Sequence, residues 1–192
     1  VDNSLYTPAL RGSFETAKRI LDQSVDPNSE YEFLAGGKKI PWKGPIMFAA
    51  ISGGHVSILK LLLDYNADLG ACCKLTVNGK IHDNTAFWDA CNAGQLEIVR
   101  FLLGREEVDV NREGINPDTG DLVSPLQQAV IRGRCHVVEA LLQVNEVDTT
   151  DRVKRSDMIT EAIWSEHFDI VRAFVVQSVG LKHDTDTLHA DL

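Results

Sequence analysis

Apolar residues recur along the chain with the spacing of short amphipathic helices. In residues 53–68, GGHVSILKLLLDYNAD, two glycines precede apolar residues at Ile58, Leu59, Leu62 and Leu63. This spacing places the four side chains on one face of a helix that starts after Gly-His and ends at Asn-Ala-Asp. A glycine at the start permits the left-handed backbone of a turn, so the segment predicts the second half of a helix–turn–helix unit.

The unit occurs five times in one frame. The copies are NSLYTPALRGSFETAKRIL (3–21), PIMFAAISGGHVSILKLLL (45–63), TAFWDACNAGQLEIVRFLL (85–103), SPLQQAVIRGRCHVVEALL (124–142) and DMITEAIWSEHFDIVRAFV (157–175). Thr85 and Ser124 stand at helix N-cap positions, and Pro125 takes the first helical position. Alanines recur where the helices must approach closely, at Ala50, Ala90, Ala129 and Ala162.

These copies resemble the ankyrin repeat, whose pattern runs TPLHxAAxxGHxxIVxxLLxxGADVN. The resemblance covers about residues 3 to 177 and implies an all-α solenoid of about five helix-turn-helix repeats in one domain, 1–180, followed by a polar acidic tail, 181–192. The repeats are expected near 3–28, 45–69, 85–111, 124–148 and 157–177. The His of TPLH is replaced in every copy, so we expect aromatic packing to substitute for its loop-bracing hydrogen bonds. The first and fifth copies resemble end caps, which need a solvent-tolerant outer face.

The copies are spaced more widely than the family pattern. From Gly12 to Gly54, Gly94, Gly133 and Glu166 the steps are 42, 40, 39 and 33 residues, against a usual period of about 33. The extra residues fall in 29–44, 69–84 and 111–124, each of which contains a turn sequence: Gly36-Gly37, Asn78-Gly79 and Asp118-Thr119-Gly120. We expect three β-hairpin fingers along one edge.

Composition narrows the classes of function. A net charge of −9 and a pI near 5.1 argue against binding nucleic acid or anionic membranes through bulk charge. No apolar run approaches the ~20 residues of a membrane-spanning helix. The four cysteines and six histidines show no metal-ligand spacing, and reduced thiols favour the cytoplasm or nucleus. We expect no metal and no cofactor.

The family resemblance implies a binding surface on the concave face, built from inner-helix positions and finger tips. The candidate partner-binding residues are Trp164, Arg132, Ile131, Asn92, Asp89, Gln128, Ser165, Trp42, Lys38, Lys39, Lys80 and His82. Trp164 ranks first because Trp and Arg are enriched in interface hot spots; its alternative role is to shield the end of the core. The alternative role of Trp42 is to pack on the next repeat rather than to contact a partner. The finger lysines are placed to receive an acidic segment, or to form a solvated hairpin tip.

Three functions remain open at this point. The first is non-catalytic binding of a protein or peptide by a monomer, acting as an adaptor, an inhibitor or the ankyrin segment of a larger protein. The second is an ankyrin-fold enzyme or small-molecule binder with its site between the fingers and the inner helices; no linear catalytic motif is present, but a site assembled across repeats leaves none. The third is a spacer or oligomerisation unit that self-associates through an end repeat.

Overall fold

The chain folds into five helix pairs. A two-stranded hairpin lies between successive pairs from the first to the fourth, whereas the fourth and fifth pairs are joined by a loop without strands. The computed structural model describes residues 5–34 and 41–188, and its elements run in this order. The helices are α1 (Tyr6–Arg11), α2 (Phe14–Leu21), α3 (Met47–Gly53), α4 (Val56–Asp64), α5 (Ala86–Ala93), α6 (Leu96–Leu103), α7 (Pro125–Ile131), α8 (Cys135–Leu141), α9 (Arg152–Trp164) and α10 (Phe168–Leu188). The strands are β1 (Glu30–Leu34), β2 (Pro41–Pro45), β3 (Cys73–Val77), β4 (Lys80–Asn84), β5 (Gly114–Ile115) and β6 (Leu122–Val123).

The pairs stack in chain order. The first helix of each pair contacts the first helix of the next, from α1 to α3, α5, α7 and α9, and the second helices do the same from α2 to α10. One apolar core runs through both rows. The helix faces predicted from the sequence are buried, for example at Ile58, Leu59 and Leu62, and the recurring alanines are inaccessible to solvent. The predicted helix–turn–helix units are therefore confirmed.

Local sequence sets the helix ends where it was expected to do so. The side chain of Thr85 accepts a hydrogen bond from the N–H of Trp88 at 3.1 Å. Ser124 and Gln127 form a reciprocal capping box at the start of α7, with Pro125 at its first position. These bonds satisfy N–H groups that a helix leaves unpaired at its start.

The turn glycines are required by two features at once. Gly133, for example, has a φ of +66°, and a Cβ placed there would lie 2.6 Å from the His167 ring of the following pair. The same arrangement holds at Gly12, Gly54 and Gly94, each facing a side chain of the next pair. In the last pair Glu166 adopts the same left-handed conformation, with a φ of +59°.

Two of the three predicted hairpins join into one sheet. β1 and β2 form an antiparallel pair, as do β3 and β4, and β2 pairs with β3 through Trp42 and Leu75, giving the order β1-β2-β3-β4. The Asn78-Gly79 turn has positive φ at both residues, as its sequence predicts. The pairing between the first two fingers was not anticipated. The Gly36-Gly37 turn lies outside the described residues.

The third hairpin is much shorter than the other two. β5 and β6 pair over only two residues each, and the loop between them is closed by hydrogen bonds between the backbones of Asn116, Gly120 and Asp121. Gly120 has a φ of +80°, as the turn sequence requires. The prediction of a hairpin in 111–124 is confirmed, with strands too short for an extended finger.

At the replaced TPLH histidine of the third copy, a hydrogen bond accompanies the expected aromatic packing. Trp88 occupies that position, is fully buried, and donates a hydrogen bond from Nε1 to the carbonyl oxygen of Val123 at 3.0 Å. Trp88 therefore braces the third hairpin through its N–H as well as its ring, because a buried indole N–H needs an acceptor.

The last pair also departs from expectation. Its outer face is not polar, since Ile163 and Val175 are 51% and 55% exposed. α10 continues to Leu188, into the segment that the sequence analysis assigned to a polar tail. The expected solvent-tolerant end cap is therefore absent from the described part of this pair.

Candidate functional site

The first helix of each pair is the inner helix that the sequence analysis expected, and equivalent positions of these helices line one surface of the stack. We call the set formed by Ser52, Asn92, Ile131 and Trp164 the inner row; each lies two residues before its turn residue. Ser52 is exposed, Asn92 and Ile131 are half-buried, and Trp164, the last residue of α9, is 82% exposed. The row therefore ends in a large aromatic side chain that projects from the protein.

A polar network occupies the middle of this surface, where α5 packs on α7. Asn92 Oδ1 accepts hydrogen bonds from Gln128 Nε2 at 2.7 Å and from Arg132 Nε at 3.0 Å. The backbone carbonyl of Asn92 accepts a third bond from Arg134 Nε at 3.2 Å. Asn92 therefore connects its own repeat to the next through both its side chain and its backbone.

Arg132 extends the network to the third hairpin. Its guanidinium forms an ion pair with Asp118, with Nη1 and Oδ2 2.8 Å apart. Both side chains remain about one-third exposed. Asp118 is held in place locally, because its N–H donates to Asn116 Oδ1 at 2.9 Å. The hairpin, α7 and α5 are thus linked by three polar side chains at the surface.

Asp89 and Gln128 lie beneath this network and hardly reach solvent. They occupy equivalent positions of adjacent repeats; Asp89 is 5% exposed and Gln128 is inaccessible. Among the equivalent positions of the other pairs, Ala49 is buried, whereas Thr7 of the first pair and Glu161 of the last pair are exposed. The prediction that both side chains contact a partner directly is wrong, since both are buried.

The side chains of Asp89 and Gln128 are nevertheless unusual, because both are polar and buried. Burial raises the pKa of Asp89 to about 7, because a low-dielectric environment disfavours the charged carboxylate. Gln128 Oε1 has no hydrogen-bond partner in the described part of the chain. A buried acceptor without a donor costs free energy, so such an atom calls for an explanation.

The comparison with known families decides which kind of repeat this is. A family model described as ankyrin repeats matches residues 4–114 in three copies. This chain belongs to the ankyrin-repeat family. No curated protein matches it.

The match covers the first three ankyrin pairs, and the structure continues the arrangement beyond them. α7 and α8 contact α5 and α6, and α9 and α10 contact α7 and α8 in turn. Most of the polar network lies outside the matched residues, in or after the third hairpin; this part comprises Gln128, Arg132 and Asp118. Trp164 lies outside the matched residues as well. Ankyrin repeats typically form protein-binding modules.

The finger candidates are placed unevenly in this ankyrin domain. Trp42 is 5% exposed between β1 and β3, so packing accounts for it and its predicted role as a partner contact is wrong. Lys80 is exposed at the tip of the second finger and His82 is half-buried. Lys38 and Lys39 lie outside the described residues.

Ion pairs within the protein neutralise part of the positive charge of the fingers. Lys43 and Lys74 each form a 3.0 Å ion pair with Glu30. The hydrogen bonds from these two lysines lower the pKa of Glu30. The fingers therefore offer an acidic partner fewer uncompensated charges than their sequence indicates.

Sequence reasoning missed two members of the site. The sequence indicates Asp118 only as part of a turn and gives Arg134 no role, yet both contact the network through space. Ser165, a predicted partner contact, donates its hydroxyl to Glu161 Oε1 at 3.1 Å within its own helix end. The contacts of Asp118 and Arg134, in contrast, join residues far apart in the chain, and such pairing leaves no linear motif.

Two cavities in the described part of the chain lie away from the inner row. One of about 520 Å³ is lined by residues of the first two fingers and the α4 exit, including Glu30, Cys72 and Asp83, and one of about 410 Å³ lies between α6 and α8. Within residues 5–34 and 41–188, no three His, Cys, Asp or Glu side chains are placed to hold a metal ion. In the same part of the chain, no helix combines the length and apolar character needed to cross a membrane.

Proposed function

We propose that this ankyrin-repeat protein binds a protein or peptide on the concave face of a solenoid formed by its five helix pairs. The observation that carries the proposal is Trp164. It is the most exposed of the large hydrophobic side chains of the described chain, at 82%, and it stands at the end of the inner row. Trp is among the residues enriched in interface hot spots, so a Trp side chain that projects from the end of this row is suited to anchor a partner.

The neighbouring polar network supports the same surface. Arg132 and Asp118 keep part of their side chains in solvent while holding one another in a fixed geometry. Fixed donors and acceptors around an apolar anchor supply orientation and specificity rather than most of the affinity. The partner that fits is a segment with an apolar or aromatic pocket for Trp164 and polar groups directed towards Arg132 and Asn92.

The fingers contribute less than the sequence indicates. Lys80 is available at the second finger tip, whereas Lys43 and Lys74 are paired with Glu30. We therefore propose that Trp164 and the inner row dominate binding, and that the fingers extend the contact surface. Four thiols outside disulfides support the proposal that the protein works in the cytoplasm or nucleus.

The test is affinity capture from a lysate of the source organism with three forms of the protein. Trp164→Ala removes the proposed anchor. Val176→Ala is the matched control, because Val176 is also a well-exposed apolar residue of the last pair but lies on α10. A protein recovered with the native chain and with Val176→Ala, but lost with Trp164→Ala, supports the proposal. Recovery of the same protein by all three forms would contradict it.

A small-molecule site is the second candidate, and Gln128 Oε1 favours it. A buried acceptor without a partner, beside a buried carboxyl of raised pKa, is the kind of group that a bound donor would satisfy. We rank this candidate lower because Asn92 and Arg132 already satisfy one another and the two described cavities lie elsewhere. Mass spectrometry of small molecules eluted from the native chain tests it: a bound metabolite without a bound protein would place it first.

A further inference from the structure

The hydrogen bonds at the centre of the polar network have a direction that Arg132 imposes. A guanidinium group only donates hydrogen bonds, so the Asn92 atom that lies 3.0 Å from Arg132 Nε is its side-chain oxygen. The same oxygen lies 2.7 Å from the side-chain amide of Gln128. Because an amide oxygen cannot donate, Gln128 directs its nitrogen, Nε2, towards Asn92. One arginine therefore sets the orientation of both amides.

This orientation leaves the other end of the Gln128 amide in need of a donor. Oε1 of Gln128 has no hydrogen-bond partner among the residues that the structure describes. Turning the amide over does not help, because Oε1 would then face the oxygen of Asn92. Gln128 is inaccessible to solvent, and a buried acceptor without a donor costs free energy. The arrangement therefore requires a buried donor beside Gln128.

Asp89 is the polar side chain placed to supply that donor. It lies three residues before Asn92 on α5, and residues at this spacing are neighbours on one helix face. Gln128 already reaches the same face of α5 through its bond to Asn92. Asp89 is only 5% exposed. A carboxylate has no hydrogen to donate, whereas a protonated carboxyl group has one O–H donor. Asp89 can therefore satisfy Gln128 only in its protonated form.

The surroundings of Asp89 favour this protonated form at neutral pH. Burial raises the pKa of Asp89 to about 7, because a low-dielectric environment disfavours the carboxylate. From β3, the buried Cys73 thiol is close enough for the charge on Asp89 to contribute to its own raised pKa. A negative charge on Asp89 is therefore opposed by burial and gains nothing from this neutral thiol.

The helices that contact α5 bring few charged groups towards Asp89. They are α3, which has no charged residue, α6, which has Glu97 and Arg100, and α7, which ends beside Arg132. Glu97 and Arg100 are exposed and pair with each other. Arg132 is paired with Asp118. The charges of these residues are therefore compensated locally and leave the protonation of Asp89 to its burial.

Loss of this proton reverses the direction of the hydrogen bonds. An ionised Asp89 only accepts, so it attracts the donor end of the Gln128 amide, and Oε1 then turns towards Asn92. Asn92 must in turn direct its Nδ2 towards Gln128 in order to donate. The position that accepted the bond from Arg132 Nε is then held by an NH₂ group, and two donors cannot bond to each other. Arg132 keeps only its ion pair with Asp118.

We propose that Asp89 donates its proton to Gln128 Oε1, and that this proton controls whether Asn92 holds Arg132. We call Asp89, Gln128, Asn92 and Arg132 the hydrogen-bond relay. With the proton in place, Arg132 is fixed at the surface of the candidate site; without it, Arg132 is released from Asn92. The relay is a property of the free protein. Its effect on a partner rests on the proposed function: binding oriented by Arg132 becomes sensitive to pH near neutrality.

Heteronuclear NMR of the purified full chain tests the relay without any partner. The carboxyl carbon signal of Asp89 and the exchange of the Arg132 Nε–H with water are followed from about pH 5.5 to 8.5. Arg134 is the internal control, because its Nε donates to the backbone carbonyl of the same Asn92, an acceptor that cannot turn over. The ratio of the Arg132 exchange rate to the Arg134 exchange rate is expected to rise about tenfold or more as Asp89 ionises around pH 7.

Three variants separate the relay from a general effect of pH. Asp89→Asn keeps a donor beside Gln128 at every pH, so the ratio should stay low throughout. Gln128→Met preserves most of the volume but cannot connect Asp89 to Asn92; the pKa of Asp89 should fall, and the ratio should no longer follow its titration. Glu161→Gln is the matched control, because Glu161 is the exposed equivalent of Asp89, and it should behave like the native chain. Circular dichroism establishes that each variant is folded.

A ratio that stays constant while Asp89 titrates would overturn the proposal, as would a rise that persists in Asp89→Asn. An Asp89 signal that shows a carboxylate over the whole pH range would overturn it as well. A small molecule that supplied the donor to Gln128 would give the first of these results. Because no partner is present in the sample, failure of the proposed partner site leaves all these outcomes unchanged, and the two failures are distinguishable.

Discussion

Arg132 and Asp118 form a 2.8 Å ion pair that joins the end of α7 to the third hairpin. Because Arg132 also donates to Asn92 on α5, the pair holds three elements of the candidate site in one arrangement. Together with the hydrogen bond from Trp88 to Val123, this relationship explains how a hairpin with two-residue strands keeps a fixed position beside the inner row. The consequences of this pair, and of other contacts in the stack, are measurable.

A double-mutant cycle measures the ion pair. Arg132→Ala and Asp118→Ala should each lower the free energy of unfolding, with a coupling of about 1 kcal/mol, since both side chains are partly exposed and screened by water. Urea titrations of the native chain, both single variants and the double variant give the coupling. Additive effects of the two substitutions would show that the pair contributes nothing to stability.

Trp88→Phe should destabilise the protein through a lost hydrogen bond. The variant keeps an aromatic ring but leaves the carbonyl oxygen of Val123 without its donor, at a cost of about 2 kcal/mol. Trp164→Phe is the matched control, because the same chemical change at an 82% exposed side chain should alter stability by less than about 0.5 kcal/mol. Equal effects of the two substitutions in chemical denaturation would contradict the bracing role of Trp88.

Asp89 makes stability depend on pH. Its pKa is raised from 3.8 to about 7 in the folded protein, so between these values the folded chain binds a proton that the unfolded chain has lost. Stability is therefore highest below about pH 4 as far as Asp89 is concerned, and it falls as pH rises through about 7, by up to about 4 kcal/mol. Asp89→Asn should remove this dependence, so that the variant gains relative to the native chain as pH rises. A stability difference that is the same from about pH 5 to pH 8 would contradict the burial of an ionisable carboxyl.

The turn residues should respond in opposite directions. Gly133→Ala places a Cβ 2.6 Å from the His167 ring at a positive φ and should cost more than about 1 kcal/mol. Glu166→Gly relieves a non-glycine residue held at a φ of +59° and should leave stability unchanged or raise it by up to about 1 kcal/mol. Thermal melts of both variants check this contrast. Destabilisation by Glu166→Gly would mean that the Glu166 side chain makes a contact that holds the last pair.

Much of the fold could be predicted because the structure of each repeat is determined by residues close together in its own sequence. The apolar spacing at Ile58, Leu59 and Leu62, the caps at Thr85 and Ser124, and the turn glycines all act within a few residues. Five copies in one frame then made the stacking order predictable as well. The pairing of β2 with β3 escaped prediction because it joins residues from different insertions.

The candidate site was predictable only in part. Because equivalent residues of a repeat share an environment, the frame identified Trp164, in the inner row, as exposed. It also identified Ala90, at a different position of the repeat, as buried. It did not reveal that Asp89 and Gln128 are buried, or that Asp118 reaches Arg132. Those outcomes depend on the separation of adjacent pairs and on the path of the third hairpin, which no short stretch of sequence specifies.

The most direct test of the central claim is site-specific photo-crosslinking at position 164. A photoreactive phenylalanine derivative replaces Trp164 in one protein and Val176 in another, and both are irradiated in a lysate of the source organism and analysed by mass spectrometry. The account predicts that the derivative at position 164 crosslinks a partner that the derivative at position 176 does not. The same crosslinked proteins from both positions, or none from position 164 while native chain captures a partner, would contradict binding at the inner row.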